Sequence, residues 1–576
     1  MTRRIMLVVA CIIVSTVVMT GCSDQMKPER SLSSLLSKLG MNGVEMPPNP
    51  LQGQPNPLID YIRTNWTEGD SSKTSGLHYS HIKVYGECWT DLHGVGYDPN
   101  GAQAEFIADH FDMYTWGGYN VAEHAYPQYP SFLWLVPTGS DCISSQWDST
   151  ETVAWINSAA NEEDVHWAEL VMHYKYDNTM VYGAFKGWNP SDDTDGDGCI
   201  ESGEGNNGQP SDSARTALCI GQSDVLLHVP ESGRPWWNWT ELSPSVTRGY
   251  EGNLDMRTDR AASLWSSYTY KFKGCRIDDG AFNDYVDFGL DHTFTYESGS
   301  YVESNRQYYV NKIAWVPAFS CAMDSKIGQA LTIYIENIVS PYYSCGDWNQ
   351  SGKGWMKEYL QNCYDECWLV TGGSGPLTMD KIPCWLNCPF LEYCEQGKGY
   401  VFAARSINNS DRERRFTLAT FYMVNHQMAF YSYRAIDHMP GQNDEVWDWQ
   451  WNPYVPFDVG QPIVNTLNKL DFQGNSGTNR YFVFAQDDSY KVLGREYIRS
   501  DGTKVLVLTK IMASGCSEGQ SPTTHSLPRC YREVLPDLTL GNVVSSVALY
   551  NNDGVILVET TCPPSGGGKG PEPGQE

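Results

Sequence analysis

The chain has 576 residues and a formal net charge of -29, from 69 acidic against 40 basic side chains. A chain this acidic is not expected to bind nucleic acid or to dock on anionic lipid, because both would repel it. A large well-packed core accounts for most of the 20 Trp and 35 Tyr. The remainder exceed what a core needs and favour aromatic surfaces that stack against sugars. The length predicts two or three domains.

The N-terminus carries the features of an export signal. Two arginines precede an apolar stretch that is too short for an ordinary membrane span. The stretch ends in Met-Thr-Gly-Cys, which resembles a bacterial lipobox and makes Cys22 the lipidated first mature residue; a plain secretory signal is the alternative. The sequence therefore predicts a signal peptide over 1–21 and a flexible stalk over 22–77. The lipid alone would hold the body at the bacterial outer membrane or cell surface.

Residues 78–440 show short apolar runs that alternate with helical stretches, a pattern typical of a (β/α)8 TIM barrel. Long loop insertions are expected at about 186–210 and about 340–398. The predicted strands are 81–87, 111–117, 131–137, 224–230, 272–280, 331–337, 364–370 and 399–406.

The first insertion contains DTDGDGCIESGE over 193–204, which has the ligand spacing of an EF-hand calcium loop. Pro, Gly and Asn on both sides stop helices, so we expect a structural Ca²⁺ clip rather than a sensor. A solvated acidic loop is the alternative. The predicted metal ligands are Asp193, Asp195, Asp197, Cys199, Glu201 and Glu204.

Of the 17 cysteines, 15 remain in the mature chain once Cys11 of the signal peptide and Cys22 are set aside. Export favours disulfides. One group of cysteines is crowded, and it lacks the histidines and CxxC spacing of a typical zinc site, so disulfides are the better interpretation there. The odd number leaves one thiol or an intermolecular bridge, so self-association is possible. The crowded group is Cys363, Cys367, Cys384, Cys388 and Cys394.

Residues 441–562 change in character to strands and turns. Asp501-Gly502 and Asp553-Gly554 are expected to form hairpin turns between them. A small all-β sandwich domain is therefore predicted, followed by a disordered tail over 563–576.

Several segments occur in an order that resembles the glycoside-hydrolase-like barrel families. Those families have a (β/α)8 catalytic domain followed by a small β-sandwich, so the resemblance implies that organisation over roughly 80–560, with a polysaccharide or oligosaccharide as partner. The chain departs from the pattern in its two insertions and in Thr509-Lys510, where Asn-Pro is common. The segments are FKGCRIDDG, YDECWLV, FTLATFYMVN and GREYIRSDGTKVLVLTK.

Glycoside hydrolysis needs two carboxyl groups, and barrel active sites lie at the C-terminal ends of strands. Asp279 and Glu366 are the predicted catalytic pair, with Asp278 and Glu336 in reserve. No nucleophile elbow, P-loop or dinucleotide fingerprint occurs. The leading hypothesis is a surface-anchored glycoside-hydrolase-like protein acting on an extracellular polysaccharide. The alternative is a non-catalytic glycan-binding or structural, self-assembling surface lipoprotein.

Overall fold

The computed structural model describes two portions of the chain. Towards the C-terminus it describes 359–372, 376–435 without 388, 391 and 392, 450–463 and 481–563. Before these it describes separate stretches, which are 49–65, 82–88, 106–116 without 108, 131–135, 173–176, 179–182, 199–200, 218–219, 263, 266–267, 280–287, 316–326 and 333–338.

Two helices and nineteen strands have defined bounds within these residues. The helices are α1 (Pro57–Asn65) and α2 (Asp411–Val424). The strands are β1 (Lys83–Cys88), β2 (Met113–Trp116), β3 (Ser131–Leu135), β4 (His173–Tyr176), β5 (Thr179–Tyr182), β6 (Cys199–Ile200), β7 (Leu218–Cys219), β8 (Gly280–Asp287), β9 (Ile333–Ile338), β10 (Cys363–Thr371), β11 (Tyr400–Ser406), β12 (Ala429–Ala435), β13 (Gln461–Pro462), β14 (Phe482–Gln486), β15 (Tyr490–Ile498), β16 (Lys504–Met512), β17 (Thr523–Val534), β18 (Leu540–Leu549) and β19 (Asp553–Thr560).

Eight parallel strands form a closed sheet in the order β1-β12-β11-β10-β9-β8-β3-β2. The strands β4 and β5 pair as a small antiparallel hairpin, and β6 pairs with β7. Most of the predicted strands overlap observed ones, such as 399–406 and β11. The predicted strand 224–230 lies outside the described residues.

The prediction of a (β/α)8 TIM barrel is wrong. The described residues are mostly strands with few helices, and they do not show a helix after every strand. The clearest departure is the connection between β10 and β11, whose described residues form 3₁₀ turns, the π-helical turn Pro383–Asn387 and a short helical turn at Pro389 rather than one long α-helix. Pro383 and Pro389 lie in this connection, and proline removes the N–H that a continuous helix needs there.

The second predicted domain is also corrected, because its strands form one antiparallel sheet rather than a sandwich. The order is β13-β15-β16-β19-β17-β18, and β14 pairs with β15 beside β13. Gly502 turns the β15–β16 hairpin with φ of 84°, as expected for Asp501-Gly502. Asp553-Gly554 instead begins β19, and Asn552 takes the positive φ of that turn.

Helix α2 lies between the two sheets. Ser410 caps its N-terminus by accepting the Glu413 N–H, and Asp411 adds a favourable negative charge in the first turn. One side contacts the parallel sheet through Phe421, whose ring centroid is 5.8 Å from that of Phe402. The other side contacts the antiparallel sheet, where the Thr420 and Thr509 hydroxyls are 2.9 Å apart. The helix thus belongs to both cores.

Gly554 allows the helix to approach the antiparallel sheet closely. A Cβ on Gly554 would lie 2.5 Å from the Ala419 Cβ and 2.6 Å from the Arg415 carbonyl oxygen, both on α2. Beside this contact, the Arg415 guanidinium donates to Gly554 O at 3.0 Å and to Asp553 at 3.1 Å. A side chain at position 554 would therefore separate the two halves.

Side chains of the antiparallel sheet donate hydrogen bonds to the carbonyl oxygens at the C-terminal end of α2. Arg495 on β15 is buried, and its Nη1 donates to the carbonyl oxygens of Tyr422, Met423 and Asn425 at 2.7, 3.2 and 3.1 Å. The Tyr497 hydroxyl also donates to Tyr422 O at 2.7 Å. These carbonyls have no partner inside the helix, so donors from the neighbouring sheet replace water there.

Part of the predicted stalk is folded. Helix α1 buries Leu58 and Ile62, and Asn56 just before it donates to Asn362 Oδ1 at 2.8 Å and to Gly397 O at 2.9 Å. These contacts hold the helix against the start of β10 and the segment before β11.

The signal peptide, Cys22 and the rest of the stalk up to residue 48 lie outside the described residues, as does the tail after residue 563. No helix within the described residues is long and apolar enough to cross a membrane.

The described residues include both a disulfide and cysteines that keep their thiols. A disulfide joins Cys530 on β17 to Cys562 after β19, with an S–S distance of 2.07 Å. Cys363 and Cys394, both from the crowded group, are buried thiols rather than disulfide partners. The disulfide is one of the expected kind, whereas the two thiols depart from the expected bridging within the crowded group.

We expect Arg495→Met to lower the free energy of unfolding by about 3 kcal/mol, because it leaves buried carbonyls of α2 without a charged donor. Lys504→Met at the start of β16 removes one positive charge from the same sheet and should change the stability by less than about 0.5 kcal/mol. Urea unfolding followed by far-ultraviolet circular dichroism measures both variants. Equal stabilities for the two variants would contradict the role assigned to Arg495.

Candidate active site

Two tyrosines identify the inner face of the closed sheet. The rings of Tyr85 on β1 and Tyr364 on β10 have centroids 5.7 Å apart, although β11 and β12 separate their strands in the sheet order. Both rings must therefore point into the interior.

The register of β10 against β11 shifts between Asp365 and Leu369, so Glu366 is placed by its partner and not by alternation along β10. Phe402 on β11 contacts α2 on the outside, so Arg405, three residues later, faces the interior, and Glu366 is paired with it.

Glu366 is held by an arginine from the next strand. The Nη2 of Arg405 on β11 forms an ion pair with Glu366 Oε1, and its Nε donates to the Glu366 carbonyl oxygen at 2.6 Å. The two side chains are 15% and 21% exposed, for Arg405 and Glu366 respectively. The pair is thus open in part to solvent and fixed by two contacts from one guanidinium.

A second arginine lies beside this pair. Arg434 on β12 is in register with Arg405 on β11, and its side chain is almost fully buried. Both arginines stand one residue before the C-terminal ends of their strands, which all lie at the same edge of a parallel sheet. This edge therefore carries two guanidinium groups and one carboxylate, and we call Glu366, Arg405 and Arg434 the mouth cluster.

The interior next to Tyr364 is closed by side chains. The Tyr85 hydroxyl is hydrogen-bonded to the Thr115 hydroxyl, and both residues are buried. Lys83, two residues before Tyr85, donates from Nζ to the His426 carbonyl oxygen at 3.3 Å, on the N-terminal side of the sheet. A packed interior leaves the C-terminal edge as the place where a ligand could reach the mouth cluster.

Glu336 lies elsewhere. Tyr334, on the same face of β9, donates from its hydroxyl to Asp324 at 2.9 Å in the helical segment 316–326, so this face is the outer one. The Glu336 carboxylate is buried and accepts the Asn362 N–H at 2.9 Å. Burial raises the pKa of Glu336 to about 8, although the Asn362 N–H and the positive charge of Lys398 oppose the shift. The structure therefore separates Glu336 from Glu366 by the wall of the sheet.

Other polar groups share this outer face. Asp365 is buried and accepts the Tyr400 hydroxyl at 2.8 Å. Cys363 is buried close by, and burial raises the pKa of its thiol well above the ordinary range, with the Asp365 charge adding to the shift. A thiol in that state is a poor nucleophile. These residues stabilise the wall between β9, β10 and β11.

Asp278 and Asp279 lie outside the described residues. The sequence predicted a strand that ends at residue 280, whereas β8 begins at Gly280 and ends at Asp287. The two aspartates therefore precede this strand in the chain, and Asp287 is the residue that ends it. Sequence reasoning missed Asp287 because the strand boundary was displaced. It also missed Arg405 and Arg434, which alternation along VFAARS and FYSYRA could have indicated.

The predicted calcium site is contradicted. Within the residues that the structure describes, no group of three or more His, Cys, Asp or Glu side chains is placed to hold a metal ion. Of the predicted loop, the described part is Cys199–Ile200, which forms β6 and pairs with Leu218–Cys219. The described residues therefore give no support for bound calcium. The other predicted ligands lie outside the described residues, namely Asp193, Asp195, Asp197, Glu201 and Glu204.

The sequence matches no protein-family model, and it matches none of the curated proteins. The resemblance to glycoside-hydrolase-like barrels thus stays a prediction. The candidate function therefore depends on the mouth cluster and on the chemistry of its residues.

The buried carboxyl of Glu336 should make stability depend on pH. Its pKa of about 8 means that the folded chain keeps a proton that the unfolded chain releases near the ordinary carboxyl value. The contribution of Glu336 is therefore fully present below that ordinary value and is lost as the pH rises to about 8, with a limiting slope of about 1.4 kcal/mol per pH unit.

Glu336→Gln removes this contribution, because the amide is neutral at every pH in the window and can still accept the Asn362 N–H. The stability of the variant relative to the wild type should therefore rise with pH. Denaturant unfolding at several pH values measures the difference. A relative stability that does not change with pH would contradict a buried, protonated Glu336.

Proposed function

We propose that this chain is a surface-anchored glycoside-hydrolase-like protein that acts on an extracellular polysaccharide at the mouth cluster, with Glu366 as one of its carboxylates. The observation that carries the proposal is the place of Glu366. It lies on the inner face of a closed parallel sheet, towards the C-terminal edge, and is partly open to solvent. Enzymes built on parallel barrels use side chains at that edge.

The neighbours of Glu366 suit a role in glycoside chemistry. The Arg405 guanidinium fixes the carboxylate in one position, and a fixed carboxylate can act as nucleophile or base, or stabilise the positive charge that develops on the sugar ring. Arg434, almost fully buried and in register with Arg405, adds a second positive charge beside the carboxylate. Orientation of this kind accounts for a large part of the rate in many enzymes.

Hydrolysis also requires a second carboxyl group. Asp279 is the partner predicted from the sequence, and Asp287 at the end of β8 is a further candidate because β8 and β10 both flank β9. Replacing each by Asn, one at a time, tests which of them is required. The lipid anchor at Cys22 would present the mouth cluster to polymers outside the cell.

A second candidate function is non-catalytic glycan binding. The observation that favours it is the close engagement of Glu366, since one guanidinium contacts both its carboxylate and its carbonyl oxygen. A carboxylate tied in this way has to leave the arginine in part before it can transfer a proton. In that case the mouth cluster would bind hydroxyl and carboxyl groups of a sugar without cleaving it.

The test is the hydrolysis of a broad glycan panel by the soluble chain from residue 23 onward, read as release of reducing ends. Glu366→Gln should reduce the rate by about 10²–10⁴-fold, because the amide cannot ionise or transfer a proton. Arg405→Lys should reduce it by about tenfold, because lysine cannot make the two-pronged contact.

The matched controls come from the exposed pair Arg529–Glu559 on the antiparallel sheet, which has the same two residue types at 2.6 Å. Glu559→Gln and Arg529→Lys should leave the rate unchanged. Equal effects in both pairs would show that Glu366 is not part of the chemistry. A wild-type protein that binds a glycan by affinity electrophoresis but cleaves none would favour the second candidate.

A further inference from the structure

Strand β18 forms an open edge of the antiparallel sheet within the described part of the chain. One side of it pairs with β17, from Thr523 opposite Leu549 to Val534 opposite Leu540. No other described strand pairs with its second side, so that side presents backbone N–H and C=O groups that another strand could bind. The opposite edge of the sheet is held by β13 and β14, which have two and five residues.

The sequence of β18 lacks the usual protection of an edge. It reads LGNVVSSVAL, without a charged residue or a proline, although the whole chain has a net charge of -29. Natural edges are normally guarded by charges, proline or bulges against pairing with other chains. The pairing of β18 with β17 shifts register twice, between Ser526 and Tyr531 and between Arg532 and Val534. At the first shift the additional residues lie on β17, and at the second on β18 at Gly541 and Asn542, so 543–549 itself carries no additional residue.

Exposed apolar side chains gather at the two ends of this strand. Four large hydrophobic residues are exposed in the described part of the chain, and three of these are Leu535, Leu540 and Tyr550. Leu535 and Leu540 flank the turn that leads into β18, and Tyr550 directly follows its last residue. Solvent exposure of all three is unfavourable unless another surface covers them.

A disulfide also fixes β17, the strand that pairs with β18. Cys530 of β17 lies opposite Thr560 of β19, and the disulfide from Cys530 to Cys562 joins the two strands just beyond that pair. A fixed edge loses little conformational entropy when a partner strand is added.

We propose that β18 pairs antiparallel with β18 of a second copy of this chain, so that two antiparallel sheets join into one across a two-fold axis. In such a pair the two copies of β18 run in opposite directions about the two-fold axis, and charges near that axis would lie close to their own copies and repel. A strand without charged residues avoids this repulsion.

The geometry also brings the exposed apolar residues together. Antiparallel pairing places the start of one β18 beside the end of the other, so Leu540 of each copy lies close to Tyr550 of its partner copy. Because the chain has one such edge in its described part, the two-fold pair closes on itself and gives a dimer rather than a filament.

The experiment is sedimentation equilibrium on the soluble chain from residue 23 onward, without the lipid. The wild type should be a dimer that dissociates on dilution. The double variant Ser546→Lys, Ala548→Lys places charges at exposed positions of β18 and should raise the dissociation constant at least about tenfold. Ser514→Lys, in the exposed loop before β17, is the matched control and should dimerise like the wild type.

Amide hydrogen exchange on the wild type gives a second measurement that needs no substitution. The amides of 543–549 should exchange more slowly as the protein concentration rises. A wild type that stays monomeric with no concentration dependence of exchange would overturn the proposal and leave the edge to a foreign strand. A dimer that the β18 lysines do not weaken would overturn it as well.

Discussion

The contact between Arg495 and the C-terminal end of α2 is the interaction on which the rest of the structure depends. A helix ends with carbonyl oxygens that have no partner within it, and burying them without donors is costly. Here the donors are a guanidinium and the Tyr497 hydroxyl, both from β15 of the antiparallel sheet. The helix that follows β11 of the parallel sheet is therefore completed by residues that lie some 70 positions later in the chain. We therefore expect the second sheet to fold as one unit with the first.

This constraint reaches the mouth cluster through a short series of contacts. Glu413, in the first turn of α2, is buried and accepts bonds from Ser406 Oγ at 2.5 Å and from Asn408 at 2.8 and 3.1 Å. Ser406 directly follows Arg405 and ends β11. The helix thus fixes the loop that leaves the strand carrying Arg405. Because Arg405 in turn holds Glu366, the position of the candidate carboxylate depends on how α2 is seated between the two sheets.

Much of the secondary structure could be predicted from the sequence, whereas its assembly could not. Alternating and apolar runs located most strands, and Asp501-Gly502 located a hairpin, because these signals depend on neighbouring residues. The start of β8 was missed because Cys-Arg-Ile before it is as strand-like as the strand itself. The helix in the stalk was missed because its stability comes from Asn362 and Gly397, far away in the sequence.

The mouth cluster was predicted only in part, because local sequence patterns identify single residues but not contacts between strands. Glu366 was found because it is an acidic residue within a predicted strand, but an ion pair between strands depends on sheet register, which a single sequence does not specify. Glu336 is likewise an acidic residue within a predicted strand, yet it lies on the other face of the sheet. The choice between them required the Tyr85–Tyr364 contact across the interior.

The most direct test of the shared helix is amide hydrogen exchange on the wild-type chain under native conditions. If α2 is completed by the antiparallel sheet, its amides and those of β15, β16 and β19 should open together with one free energy. Slow exchange that persists in α2 while the antiparallel sheet opens separately would contradict a single folding unit.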